Sequence, residues 1–417
     1  MARGTRHGPF PCQCASGIAG SCCESAAPSQ LLPLRSKRAT RPYLTSWNNL
    51  AGGSIFAMHA RVRPTKNSPV GRRKFPMKRS VSLLVAFLAA STALSAAEEL
   101  FTLTPVVDGV YAAIAKSVYK VNCNALIVLL DDGVLVVDTH SKPSAARGLI
   151  EQIKTITDKP VKFVVNTHFH WDHFQGNQAY PSAWPAGIEI ISSEATRQNI
   201  QQRGVPRVKS QLLSVPKEIY KLKADLAKAV DPKEKATLTE NLRQAEAFLA
   251  DLKSFQVTLP TVTFDRSLII HRGSRTIELL WMGNAHTDGD VFVYLPKERV
   301  IASGDALQGW VPFMADGYPY DWIKTLAAVE KLDFDYVVGG HGGVMRGKGQ
   351  FELWRQYFGD LMNETALVYA TGATMNEAVA QVSPVLKARY ESKLFDFAAR
   401  VPPNIEKAYR VISGDTK

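Results

Sequence analysis

Short apolar blocks alternate with amphipathic stretches from Phe101 onwards, and this alternation predicts strands and helices in turn. The run Val161–Val165, bounded by polar residues, has the length of one buried strand. Further apolar runs predict strands over Phe101–Ala115, Asn124–Leu130, Val134–Asp138, Thr261–Phe264, Leu268–His271, Thr276–Trp281, Val291–Leu295 and Val300–Ala302. Apolar spacings of three or four residues predict helices over Ser141–Lys154, Ser192–Gln202, Trp322–Leu332, Phe351–Tyr369, Met375–Val382 and Asn404–Ile412. We expect the last of these helices to close against a sheet.

The stretch Pro216–Phe255 departs from any strand pattern. Two helical stripes are separated by Asp231-Pro232, where proline suits the first turn of a second helix. The sequence therefore predicts a helical hairpin, inserted over residues 206–256. Because this insert lies between two parts of a candidate site, we expect it to overhang that site as a lid. A hairpin that packs away from the site, or that makes a dimer contact, is the alternative.

The first 97 residues differ in composition from the rest of the chain. Residues 1–76 are rich in Arg, Pro, Ser and Gly and have no apolar period, which predicts a disordered basic leader. Residues 77–97 combine a basic start, an apolar run and small residues before Glu98, as a secretory signal peptide does. We expect Met77 to be the true start and residues 98–417 to form one exported domain, periplasmic or secreted, without a stable membrane anchor. A genuine basic arm ahead of a retained anchor is the competing interpretation.

The net charge of +12 does not indicate a nucleic-acid partner, because of where the charge lies. Residues 1–79 hold fourteen Lys or Arg and one acidic residue, so the remaining chain is close to neutral. Four of the five cysteines, Cys12, Cys14, Cys22 and Cys23, lie in the same segment at spacings that fit no common zinc pattern. Cys123 alone cannot form an intramolecular disulfide in the mature domain. We therefore expect a small-molecule substrate and a fold that depends on its apolar core.

Directly after the predicted strand Val161–Val165, three histidines and one aspartate fall within six positions: His168, His170, Asp172 and His173. A spacing of two lets His168 and His170 face the same side of extended chain. Asp172 and His173 can join them only if the backbone turns, so we expect a loop here. Imidazole and carboxylate together are the ligands that zinc prefers, and this stretch predicts a metal site.

Further candidate ligands follow apolar runs downstream, each in a turn that contains glycine. They are His286 after Leu279–Met282, Asp305 after Val300–Ser303, and His341 after Tyr336–Val338. The ordered set, from His168-x-His170-x-Asp172-His173 to His341, resembles the signature of the metallo-β-lactamase superfamily of metallo-hydrolases. The resemblance spans Phe101 to about Gly343.

This resemblance implies an α/β fold, an αββα sandwich of two sheets with helices outside, here carrying the helical hairpin. It also implies a dinuclear centre. His168, His170 and His286 would hold one metal, Asp172, His173 and His341 the second, and Asp305 would bridge them. Two Zn²⁺ are expected, with iron or manganese as alternatives, and a metal-bridging hydroxide would attack the substrate. Asp172 would orient the hydroxide and act as the catalytic acid–base residue, while Asp138 would orient a ligand imidazole.

Asp305 favours one branch of the resembled superfamily. True metallo-β-lactamases usually lack a bridging carboxylate at this position, whereas hydroxyacylglutathione hydrolases, lactonases and tRNA-processing nucleases have one. Neither a glutathione-binding region nor a nuclease arm is recognisable in this sequence. The expected substrate is a small ester, thioester, lactone or lactam. The alternatives are a β-lactamase proper, a persulfide dioxygenase with one iron on His168, His170 and His286, and a metal-bound structural module.

Overall fold

A computed structural model gives the structure of the chain and describes residues 100–116, 123–185 and 187–415. The predicted leader (1–76), the predicted signal peptide (77–97) and the four N-terminal cysteines lie outside the described residues. Within the described part, no helix combines the length and the apolar character that crossing a membrane requires.

In the described part of the chain, the first sheet has seven strands arranged in sequence order. They are β1 (Phe101–Val107), β2 (Val110–Ala115), β3 (Ala125–Leu129), β4 (Val134–Val137), β5 (Val161–Val165), β6 (Glu189–Ser193) and β7 (Val262–Phe264). Strands β1 to β4 are antiparallel and β4 to β7 are parallel. The prediction of one strand over Phe101–Ala115 was wrong, because Asp108 and Gly109 form a tight turn in which Gly109 has φ +65°.

The second sheet, again within the described residues, has six strands in the order β13-β12-β11-β10-β9-β8. They are β8 (Ser267–Arg272), β9 (Arg275–Leu280), β10 (Phe292–Leu295), β11 (Val300–Gly304), β12 (Tyr336–Gly339) and β13 (Met345–Arg346). Only β11 and β12 pair in parallel among these strands. The carboxyl ends of β11 and β12 therefore meet at one edge, as those of β4 and β5 do in the first sheet.

Helices cover the outer faces of both sheets. Those in the described part are α1 (Pro143–Ile156), α2 (Trp171–Phe174), α3 (Ala179–Ala183), α4 (Glu194–Asn199), a π-helical turn (Ile200–Gly204), α5 (Val205–Lys228), α6 (Pro232–Ser254), α7 (Pro319–Val329), α8 (Gly349–Ala370), α9 (Met375–Tyr390) and α10 (Phe397–Ser413).

Three apolar layers hold the sandwich together. The inner layer joins the two sheets, with Val128 of β3 and Leu279 of β9 in the same buried cluster. A second layer packs α1 onto the first sheet through Leu149, and a third packs α7 and α8 onto the second sheet through Trp322 and Trp354. Each fully buried large side chain contributes about 1.5–3 kcal/mol relative to its exposed state. This arrangement confirms the predicted αββα sandwich.

Helices α5 and α6 confirm the inserted hairpin. The carboxylate of Asp231 accepts hydrogen bonds from the backbone N–H groups of Lys233 and Glu234 at 2.6 and 3.1 Å, which caps α6 as the sequence predicts. The first helix begins at Val205 rather than at Pro216, and Pro216 lies inside it. Proline cannot donate a backbone hydrogen bond, and the burial of neighbouring apolar side chains, among them Val215, compensates for the stability that is lost.

The C-terminal helix differs from its prediction. Helix α10 packs mainly against α8 and α9 rather than on a sheet, and Ile405 and Ala408 lie in the same buried cluster as Tyr357 of α8. The side chain of Asn404 donates hydrogen bonds to the carbonyl of Pro312 and to the Tyr357 hydroxyl at 2.9 and 3.0 Å. The second sheet is therefore covered by a layer of helices, and α10 forms the outer part of that layer.

Candidate metal centre

The candidate ligands lie where strands of both sheets end. After β5, the chain places His168 and His170 in an irregular segment, and the one-turn helix α2 carries Asp172 and His173. The expected loop at this position is thus partly wrong, because a helical turn supplies the change of direction. His286 lies between β9 and β10, Asp305 directly follows β11, and His341 follows β12.

All seven predicted ligand positions are brought together, and all are buried. Their donor atoms form two groups, each spanning no more than 4.8 Å. The first group contains His168, His170, His286 and Asp305, and the second contains Asp172, His173 and His341.

Asp305 lies between the two groups. Its Oδ2 atom is 3.7 Å from Nε2 of His286 in the first group and 3.3 Å from Nε2 of His341 in the second. Its Oδ1 atom is 3.4 Å from Nε2 of His173. The carboxylate of Asp172 lies 3.6 Å from Nε2 of His173 and 3.4 Å from Nε2 of His341. Asp305 therefore has the position that a bridging carboxylate requires.

Two further carboxylates orient ligand imidazoles by contacting the ring nitrogen that faces away from the cluster. Asp138 lies 2.7 Å from Nδ1 of His173 and accepts hydrogen bonds from the backbone and hydroxyl of Thr167, both at 2.8 Å. Asp316 lies 2.8 Å from Nε2 of His170 and forms an ion pair with Arg203. Each carboxylate holds one ring nitrogen, so the other nitrogen of that ring faces the cluster.

Glycine is required beside Asp305. A Cβ atom at Gly340 would collide with the Asp305 carboxylate and approach Cε1 of His173 to 3.0 Å. Gly304 adopts φ +50°, in the left-handed region that glycine enters without a Cβ penalty. The glycines of these turns thus let two backbone segments approach the ligand side chains closely.

Several buried polar atoms of the cluster have no hydrogen-bond partner. They include Nε2 of His168, Nε2 of His173 and Oδ1 of Asp305, all of which belong to the two groups. Buried polar atoms normally have partners, because leaving one unpaired costs about 1–3 kcal/mol. Nitrogen and carboxylate oxygen atoms in these numbers suit zinc and other first-row metals. The residues therefore fit a pair of divalent cations.

The electrostatics of the cluster favour positive charge at its centre. Burial lowers the pKa of His168 well below its usual value and that of His286 to about 3, so both imidazoles are neutral donors. Burial opposes charge on His341 too, but Asp305 and Asp172 together raise its pKa to about 9. Burial raises the pKa of Asp305, and the stronger combined attraction of His341 and His173 brings it well below normal. The carboxylates thus stay ionised and favour a cation beside them.

An open cleft of about 330 Å³ leads to the cluster. It is lined by His170, Trp171, Asp172, Arg207, Asp305, Trp310, Phe313, His341 and Arg400. A larger cavity of about 460 Å³ lies beyond Asp316 and includes Arg203 and Lys407, but none of the seven candidate ligands lines it. The smaller cleft is therefore where the candidate ligands face solvent.

Sequence reasoning missed two residues that support the cluster. Asp316 belongs to none of the ligand motifs, and no periodic pattern distinguishes it. Asn124 donates from its side-chain amide to the carbonyls of Gly339 and Gly342 at 2.9 and 2.8 Å, which ties the start of β3 to the His341 turn. Its position at the start of a predicted strand was the one signal that could have drawn attention to it.

Comparison with known proteins agrees with this geometry. The family model of the metallo-beta-lactamase superfamily matches residues 118–341, more than half of the chain, and that span includes all seven candidate ligands. The chain belongs to this superfamily. The resemblance drawn from the histidine signature is thereby confirmed.

Individual relatives of this metallo-β-lactamase superfamily member are distant. It is 24% identical over 299 residues to a linear primary-alkylsulfatase of Pseudomonas sp. (strain ATCC 19151), covering 67% of this chain and 53% of the relative. It is 27% identical over 85 residues to a metallo-beta-lactamase type 2 of Elizabethkingia meningoseptica, covering 19% of this chain and 34% of the relative. The chain thus spans about half or less of the length of these curated relatives. A solved metallo-beta-lactamase from Pontibacter korlensis matches with TM-score 0.46 and 18% identity, over 62% of this chain and 99% of that one.

Proposed function

We propose that this protein is a dinuclear metal-dependent hydrolase. His168, His170 and His286 would hold one divalent ion, Asp172, His173 and His341 would hold the second, and Asp305 is placed to contribute to both. The observation that carries the proposal is the convergence of these seven buried side chains in two adjoining groups. Within these groups, Nε2 of His168, Nε2 of His173 and Oδ1 of Asp305 have no hydrogen-bond partner.

Zn²⁺ is the proposed metal at both positions. Five imidazoles and two carboxylates make a donor set that zinc accepts readily, and iron and manganese accept similar sets. When bound, such a pair activates a water molecule at neutral pH and polarises the bond to be cleaved.

Asp172 is the proposed catalytic acid–base residue. It belongs to the second group, lines the cleft, and lies within 3.6 Å of two imidazoles. Burial raises its pKa, but His173 and His341 lower it below the usual value, so the carboxylate is ionised. An ionised Asp172 can accept a hydrogen bond from the attacking water, fix its direction, and pass the proton to the leaving group.

The proposed substrate is a small ester, thioester, lactone or lactam. The name of the alkylsulfatase relative adds sulfate esters to this list. A cleft of about 330 Å³ has the size of a small-molecule site. A lactam as the natural substrate is less favoured, because Asp305 stands where true β-lactamases usually lack a carboxylate.

The experiment combines metal analysis with a substrate panel. Purified protein is analysed for zinc, iron and manganese, then assayed with carboxylic ester, thioester, lactone, β-lactam and sulfate ester substrates before and after treatment with a chelator. We expect about two zinc ions per chain and hydrolysis that the chelator abolishes and zinc restores. A single iron per chain, together with oxygen consumption on glutathione persulfide, would support the dioxygenase alternative instead.

A further inference from the structure

Two arginines from opposite segments line the cleft of the candidate metal centre. Arg207 lies in the first turn of α5, in the inserted hairpin, and Arg400 lies in the first turn of α10. Both line the cleft together with the proposed ligands Asp172, Asp305 and His341. All seven candidate ligands lie between His168 and His341 in the sequence. Arg400 therefore belongs to the C-terminal helices that follow the last ligand.

Arg400 is held in place by contacts on two sides. Its Nε donates a hydrogen bond to Asp396 at 2.7 Å, and its guanidinium carbon lies 5.4 Å from the centre of the Trp310 ring. Trp310 in turn stacks on the imidazole of His341, with ring centres 4.9 Å apart and an angle of 21° between the planes. Among the described residues, the terminal nitrogens of Arg400 have no hydrogen-bond partner. Arg400 therefore offers donors to a ligand in the cleft at a position fixed relative to one proposed metal ligand.

Arg207 has no hydrogen bond or ion pair to any residue that the structure describes, and its side chain is exposed. Because the Arg207 guanidinium makes neither a hydrogen bond nor an ion pair with the described residues, it is available to bind a ligand. Asp396 partly balances the charge of Arg400, whereas Arg207 has no carboxylate partner among the described residues. Two divalent ions would offset the charges of Asp172 and Asp305. With metals bound, Arg207 would therefore be an unbalanced positive charge that attracts anions to the cleft.

The same cleft has an aromatic wall. Trp171, Trp310 and Phe313 line it, and Phe313 is 38% exposed. Phe395 is 68% exposed and lies next to Trp310, with ring centres 5.7 Å apart. Exposed aromatic side chains grouped at a cleft mark a surface that binds apolar material.

We propose that the substrate of this site carries an anionic oxygen-bearing group that Arg207 and Arg400 bind, joined to an apolar part that lies on Trp310 and Phe313. This inference rests on the proposed hydrolase function. A guanidinium group binds carboxylate and sulfo groups through paired N–H···O hydrogen bonds. This chemistry explains why arginine suits both positions, 207 and 400. The hairpin acts as a specificity element by supplying Arg207.

The test compares two matched esters on the zinc-loaded protein: 4-nitrophenyl hexanoate and the mono-4-nitrophenyl ester of adipic acid, which adds one terminal carboxylate. The variants are Arg207→Gln and Arg400→Gln. The matched control is Arg243→Gln, which removes one charge from the same hairpin away from the cleft. Metal content and melting temperature are recorded for each variant.

We expect the wild-type protein to prefer the anionic ester and each cleft variant to lower that preference, measured as the ratio of the two kcat/KM values, by about tenfold. The change should lie mainly in KM, and Arg243→Gln should keep the wild-type ratio. Added salt should reduce the preference as well, because part of the attraction is screened. An equal ratio in the wild-type protein and both cleft variants would overturn the inference.

Binding without turnover separates this inference from the hydrolase proposal. If neither ester is hydrolysed, the hydrolase proposal fails for these esters, and calorimetry with hexane-1-sulfonate and the uncharged hexan-1-ol still tests recognition. We expect the sulfonate to bind more tightly than the alcohol, and its Kd to rise about tenfold in Arg207→Gln or Arg400→Gln. Sulfonate binding equal to that of the alcohol, or unaffected by both substitutions, contradicts the proposed anion site.

Discussion

Asp316 accepts a hydrogen bond from His170: the Oδ2 atom of Asp316 lies 2.8 Å from Nε2 of His170. The imidazole thereby presents Nδ1, which lies 2.8 Å from Nε2 of His286, towards the first ligand group. Burial raises the pKa of Asp316, but the hydrogen bond and charge of His170 lower it to about 2, so the carboxylate is ionised at neutral pH. Asp316 also pairs with Arg203, one turn before Arg207.

Replacing Asp316 should weaken the first metal position. In Asp316→Asn the amide can still lie beside His170, but it loses the charge that fixes the ring and makes Nδ1 a better donor. We expect the zinc affinity of one position to fall about 10- to 100-fold, measured by competition with a chromogenic chelator. The control is Asp321→Asn, a half-exposed carboxylate nearby that pairs with Lys324. Equal affinities in both variants would exclude the positioning role of Asp316.

Ligand substitutions should distinguish the two metal positions. His286→Ala removes one of three imidazoles from the first group and should leave about one tightly bound ion per chain. Asp305→Asn should weaken metal binding at both positions, because a neutral amide is a poor bridge between two cations. Metal analysis after dialysis gives the stoichiometry. A single ion that persists unchanged in Asp305→Asn would mean that the centre is not dinuclear.

Asp138 should matter for stability as well as for metal binding. It is buried, contacts Thr167 and His173, and adopts φ +63°, a conformation that asparagine tolerates better than most residues. Asp138→Asn therefore keeps the backbone and removes the charge. We expect the free energy of unfolding to fall by about 1–3 kcal/mol in metal-free protein, measured by urea titration. Asp138→Ala should lower the free energy of unfolding further, since alanine adds backbone strain at positive φ.

The inserted hairpin should influence substrate selection through its base. Trp171 packs on the hairpin core next to Phe248, with ring centres 6.1 Å apart, and Arg207 lines the cleft. Replacing residues 216–255 with a short Gly-Ser linker should change KM and substrate preference while the metals stay bound. Trimming only the tip, residues 224–236, should leave the kinetics unchanged. Unchanged kinetics after the larger deletion would show that the lid prediction is wrong, and equal changes after both deletions would show that the base of the hairpin has no special role.

The sequence predicted the ligands better than their surroundings. His168, His170, Asp305 and the others follow apolar runs at family spacings, so the motif could be found without coordinates. Asp316 could not be predicted from the sequence, because it lies 146 positions from His170 and contacts it only in the packed fold. Cleavage of the predicted signal peptide (77–97), and with it a periplasmic or secreted location, stays a prediction; intact-mass analysis of exported protein should find a chain beginning near Glu98.

Secondary structure was predicted least well where local and long-range effects compete. Asp108 and Gly109 carried a turn signal, yet the apolar character of Phe101–Ala115 suggested a single strand. At Pro216, proline suggested a helix start, but contacts with α6 keep the helix continuous from Val205. Helix α10 has an apolar face whose period is clear, but periodicity does not specify whether that face meets a sheet or other helices.

The division of the ligands between the two sheets has a consequence for how the protein matures. His168, His170, Asp172 and His173 follow a strand of the first sheet, whereas His286, Asp305 and His341 belong to loops of the second. Neither half of the chain alone offers a complete set for either ion. Complete coordination of the two proposed ions would therefore require the two halves to be docked, and bound ions would then slow the separation of the halves. A partly unfolded chain would hold neither ion with its full set of ligands, so tight binding of two ions would report on completed folding.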